Sequence, residues 1–126
     1  MTSDEWHNIM TLLTVIILAD KRVYKEEVDT FVSTVKTLNE TIAPGMFMTE
    51  SMAFDWFKSN RVRVSHLLVG PNVERNIQDL IANTRKVPGK PAIIDAMRKI
   101  ARADDDFHKS EETVIGKCVE GWKLAA

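Results

Sequence analysis

The chain has 126 residues, a formal net charge of −1, 44% hydrophobic and 28% charged residues, and one cysteine. That length and balance describe a single globular domain able to bury one core. They exclude an internal disulfide, a Cys/His zinc framework and a collagenous or low-complexity chain.

The first element is an apolar helix. Thr2 with Glu5 has the spacing of a capping box. The run IMTLLTVIILA, Ile9 to Ala19, follows with only two threonines among its eleven residues. A bilayer span needs about 18–20 apolar residues, so this run predicts a buried core helix, with no integral membrane segment. The opening MTSDEWHN lacks the basic stretch of a secretory signal. With the lone Cys118, it suggests a cytoplasmic setting.

Helical spacing continues along the chain, and no segment alternates with period two. Val28, Phe31, Val32, Val35 and Leu38 form one stripe of a second helix, and Ala43, Pro44 and Gly45 break the pattern. Thr49 caps a third helix carrying Met52, Ala53, Trp56 and Phe57. Val64, Leu67 and Leu68 suggest a separate short helix before Gly70 and Pro71. A further helix buries Val73, Ile77, Leu80 and Ile81, and VPGKP, Val87 to Pro91, is the second break. Ile93, Ile94, Met97, Ile100 and Ala101 follow, then Ile115, Cys118, Val119 and Trp122. The expectation is an all-α, single-domain bundle of five to six helices spanning residues 1–126.

The two ends of the chain resemble each other. Sliding residues 12–38 onto 96–122 gives six identities: Ile16/Ile100, Ala19/Ala103, Asp20/Asp104, Lys25/Lys109, Glu27/Glu111 and Val35/Val119. Leu13/Met97, Val23/Phe107, Phe31/Ile115 and Leu38/Trp122 are apolar in both copies. This predicts two pseudo-symmetric helical hairpins, about 3–38 and 91–124, around a helical middle segment, 49–86. Val23 and Phe107 are expected to plug inward at the turns. Each Glu falls near the third position of its helix, where the helix dipole favours a carboxylate. Each Asp lies seven residues earlier, across the turn. Asp104, Asp105 and Asp106 follow a helix end, where each exposed carboxylate costs about 0.3–1 kcal/mol unless it has another role.

ADKRVYKEE (Ala19 to Glu27) and ARADDDFHKSEE (Ala101 to Glu112) resemble the repeated A-D-G-x-V-x-x-x-E element of TerB-like proteins, the tellurite-resistance family. Related domains occur in membrane-anchored DnaJ-like co-chaperones. The resemblance implies a helical bundle with internal pseudo-symmetry and a non-enzymatic stress-response role. It also implies a protein partner, in some settings membrane-associated. It assigns Asp20, Glu27, Asp104 and Glu111 as ligands of a divalent metal ion (Ca²⁺, Mg²⁺, Mn²⁺ or Zn²⁺). Lys21 and Asp105 stand where the family motif has glycine.

Read from the residues alone, the same four carboxylates have a plainer role. Asp20 and Asp104 can accept turn N–H groups, and Glu27 and Glu111 can cap their own helices. The spacing is not that of an EF-hand: counted from Asp104, position six is Lys109 and position twelve is Ile115.

Charge suggests an alternative function. Residues 57–102 carry ten Lys/Arg against three Asp/Glu. A metal-free adaptor would dock a protein or an anionic surface through this basic middle segment, with Lys58, Arg61 and Arg63 as contact candidates. Nucleic-acid binding is disfavoured, because Trp56 and Phe57 lie in the apolar register of their helix instead of forming a stacking platform. His7 and His66 stand isolated in the sequence, and Phe47 between Met46 and Met48 marks an apolar loop tip.

Overall fold

A computed structural model describes residues 1–19, 23, 25–103 and 109–124. Six helices and no strand are present among them: α1 (Ser3–Leu18), α2 (Lys25–Ile42), α3 (Glu50–Leu67), α4 (Val73–Asn83), α5 (Lys90–Ala101) and α6 (Lys109–Gly121). The chain is an all-α single domain.

α1 is the centre of the bundle. The Thr2–Glu5 capping box forms with both hydrogen bonds in place, at 2.9 and 3.1 Å. Every residue from Ile9 to Leu18 is buried. A helix apolar on all sides must be covered on all sides, and α1 touches each of the other five helices. Its two buried hydroxyls donate to carbonyls one turn back, Thr11 to His7 and Thr14 to Met10, each at 2.9 Å. Both buried polar groups are thus satisfied inside an apolar layer.

α2 buries Phe31, Val35 and Leu38 against this centre. Phe31 meets Phe57 edge-on, with ring centroids 5.6 Å apart. The break after α2 is held by Asn39, whose Nδ2 donates to the carbonyls of Ala43 (3.0 Å) and Met46 (2.9 Å). Thr49 caps α3, accepting from the Met52 N–H. α3 then runs unbroken to Leu67, so the separate short helix expected around Val64 does not exist. Nothing between Lys58 and Val64 breaks a helix, and buried Val64 continues the face begun by Ala53 and Phe57.

α4 and α6 approach closely. Trp122 Nε1 donates to the Ile81 carbonyl at 3.0 Å, and a Cβ on Gly121 would sit 2.5 Å from Ile81 Cγ2. Lys117 pairs with Glu74 across the same interface. Cys118 is fully buried, and burial pushes its thiol up to about 12, so it packs as a small apolar group. None of the helices among the described residues is long and apolar enough to cross a membrane.

One polar cluster ties α1 to α3. Trp56 Nε1 lies 3.2 Å from His7 Nδ1, and Arg63 Nη2 lies 3.2 Å from His7 Nε2 and donates to Thr11 Oγ1 at 3.1 Å. His7 is therefore not isolated, as its sequence position suggested. A neutral imidazole has one lone pair for these two donors, and a protonated ring has none. Partial burial first, and the Arg63 charge second, hold its pKa below the ordinary 6.5, while Asp4 pulls the other way.

Two predictions follow from these contacts. A depressed histidine pKa stabilises the fold above the unfolded pKa and loses that contribution as pH falls through the folded value. Urea midpoints measured from pH 7.5 down to 5 should fall less in His7→Asn than in the parent chain. Equal slopes would remove His7 from the acid response. Gly89, at the α5 N-cap, adopts φ 71°, and a Cβ there would lie 2.4 Å from Ile42 Cγ2. Gly89→Ala should cost about 1–3 kcal/mol by urea unfolding, and an unchanged midpoint would contradict the close approach.

Candidate functional site

The acidic residues singled out from the sequence divide into two groups. Asp20 and Asp104 lie outside the described residues. Glu27 and Glu111 lie within them, and their positions match. α2 begins at Lys25 and α6 at Lys109, so each Glu is the third residue of its helix. Each is 0% exposed, although its helix neighbours Glu26 and Glu112 are exposed. Both oxygens of Glu27 and Oε2 of Glu111 are sealed from solvent. Each residue also takes part in further interactions within the chain.

A carboxylate at the third position of a helix faces the first-turn N–H groups and the positive end of the dipole. That local field lowers the cost of burying it. Full burial still requires strong partners, because an ionised carboxylate is expensive to take out of water.

The packing partners of these helices also correspond. α1 and α5, which precede the two Glu-bearing helices, pack on each other, and each contacts both α2 and α6. The backbones of α2 and α6 do not approach one another closely. Residues matched by the 84-residue offset share burial: Leu13 and Met97, Ile16 and Ile100, Phe31 and Ile115, Leu38 and Trp122 are all buried. Val23 departs from expectation. At 36% exposure it points outward instead of plugging the turn, and its counterpart Phe107 lies outside the described residues.

Among the described residues, no group of three or more His, Cys, Asp or Glu is arranged to hold a metal ion. A cation site built on Glu27 and Glu111 would therefore need Asp20 and Asp104. The donor set suits a hard cation in type: four carboxylates, with no thiolate or imidazole among them.

The basic candidates on α3 are exposed but not equivalent. Lys58 sits over the Phe54 ring at 5.2 Å and Arg61 over Phe57 at 5.6 Å, so both charges rest on aromatic faces. Arg63 is engaged with Thr11, His7 and Asn60 and serves the α1–α3 contact. Phe47 is 78% exposed between the half-buried Met46 and Met48, beside a shallow cleft of 390 Å³ reaching Trp6 and Trp56.

A larger feature escaped the sequence reading. A groove of 830 Å³ runs between the outer faces of α2 and α5, lined by serine and threonine hydroxyls on one side and Arg98, Lys99 and Arg102 on the other. Its residues carry no apolar periodicity, and only the basic surplus of residues 57–102 hinted at it.

No curated protein and no solved structure matches the chain. The family described as "Tellurite resistance protein TerB" matches residues 7–124, nearly the whole chain. With six helices in the described residues and both acidic elements inside the matched span, the chain belongs to the TerB tellurite-resistance family.

Proposed function

We propose that the protein is a non-enzymatic stress-response module whose two helical hairpins are related halves. In this reading Asp20 and Glu27 from one half, with Asp104 and Glu111 from the other, hold a divalent cation. The observation that carries it is the matched pair of Glu27 and Glu111. Both are third residues of their helices, both are fully buried, and each follows an aspartate by seven positions. A Ca²⁺, Mg²⁺ or Mn²⁺ ion would supply concentrated positive charge between the halves and link their turns. An all-oxygen donor set makes Zn²⁺ the weakest of the candidate ions.

A ligand that binds only the folded state stabilises it by about 2.7 kcal/mol at a hundredfold excess over its Kd. Millimolar Ca²⁺, Mg²⁺ or Mn²⁺ should therefore raise Tm by at least about 3 °C in a domain of this size. The double variant Glu27→Gln/Glu111→Gln, which keeps the shape of both side chains, should lose that rise. No shift with any of these ions, or an equal shift in the variant, would contradict the reading.

A second reading, a metal-free adaptor, is favoured by the basic surplus of residues 57–102 and by the exposed cations of α3 and α5. Its signature is partner binding that weakens with salt and survives chelation by EDTA.

A further inference from the structure

We infer that the groove between α2 and α5 is a binding site for an extended acidic segment of a partner protein. This inference rests on the adaptor reading and gives it a location and a ligand chemistry.

The two walls of the groove differ in hydrogen-bonding character. Thr30, Ser33, Thr34, Thr37 and Thr41 line the α2 wall. Three of their hydroxyl protons are already donated to carbonyls of their own helix: Ser33 to Thr30 and Thr37 to Ser33 at 3.2 Å, Thr41 to Thr37 at 3.0 Å. A hydroxyl that has donated its proton keeps its lone pairs. The α2 wall therefore offers acceptors. The α5 wall offers donors and positive charge from Arg98 and Lys99, against one carboxylate, Asp95; Arg102 lines the same wall but is also engaged within the chain. Arg98 is half-buried; its backbone carbonyl accepts from the Arg102 N–H, and its guanidinium lines the groove. Its five N–H donors line a cleft in which cations outnumber carboxylates on the α2 side. Leu38, Ala92 and Ala96 supply apolar surface between the walls.

A peptide matches both walls at once. Its backbone N–H groups suit the hydroxyl oxygens, and its Asp or Glu side chains suit the guanidinium, which pairs with carboxylates in bidentate fashion. The hydroxyl stripe from Thr30 to Thr41 is about 16 Å long at 1.5 Å per helical residue. That length accommodates about five extended residues at roughly 3.3 Å each. Inorganic phosphate lacks the N–H donors that the α2 wall could use. Nucleic acid would want aromatic faces for its bases, and none lines the groove. The groove continues past Arg98 and Arg102 along α6, where Glu112 and Glu120 join the lining and cancel the charge excess. Acidic side chains are thus directed to the α2 side.

The test uses the full-length ¹⁵N-labelled chain titrated with a blocked hexaglutamate peptide in low salt, with hexaglutamine and inorganic phosphate as controls. We expect amide shifts clustered in residues 30–41 and 92–102. Arg98→Ala/Lys99→Ala should weaken binding by about tenfold or more, since a hydrogen bond to a charged group is worth more than one between neutral groups. Thr34→Val/Thr37→Val, which preserves shape, should weaken it by roughly threefold. Lys58→Ala/Arg61→Ala should leave it unchanged. Shifts confined to α3 and dependent on Lys58 and Arg61 would overturn the groove assignment while leaving the adaptor reading intact. Absence of hexaglutamate binding at any site would overturn both. Equal competition by phosphate would reduce the groove to a simple anion site and overturn the peptide assignment.

Discussion

The structure depends on one constraint: the segment from Ile9 to Leu18 has no polar side to turn toward water. An α-helix that is apolar around its whole circumference is stable in a globular protein only if other elements surround it. Six short helices with short connections meet that demand by placing α1 in the middle and the other five against it. The two threonines in the run do not break the rule, since each donates back to its own helix. Thr11 also accepts from Arg63, which brings α3 onto α1.

That arrangement determines where polar chemistry can lie. With α1 at the centre, α5 packs on it and on both α2 and α6. Buried Glu27 and Glu111 therefore belong to helices that flank the same α1–α5 pair. The opposite charge collects elsewhere. Arg98 and Arg102 project from α5 into the groove it shares with α2 and α6. Lys58 and Arg61 rest on rings of α3. The uneven charge along the sequence thus becomes a cationic α5 wall facing α2, balanced by Glu112 and Glu120 where the groove reaches α6.

Much of the fold was legible because α1 and the helix boundaries are governed by local rules. The Thr2–Glu5 box, the Thr49 cap and the breaks near Pro44 and Gly89 are all determined within a few residues of sequence. The continuity of α3 was missed because Arg61, Val62 and Arg63 look like a polar interruption when only apolar spacing is followed. The His7 cluster was illegible for a different reason: its partners lie 49 and 56 residues away, and no local rule brings them together. Of the candidate site, the third-position placement of Glu27 and Glu111 follows from the internal resemblance, whereas their full burial had no local signal. The groove does not, because polar residues facing outward leave no periodic signature. Val23 shows the limit of arguing from apolar identity alone, since a single apolar side chain in a turn need not be buried.

The most direct test of α1 as the organising element is native-state hydrogen exchange. If five helices cover α1, the amides of Met10 to Leu18 can exchange only when the whole domain opens. Their exchange free energies should equal the global unfolding free energy, while the ends of α2 and α6 open more easily. Exchange from α1 through a lower-energy partial opening, with α2 to α6 still protected, would contradict it.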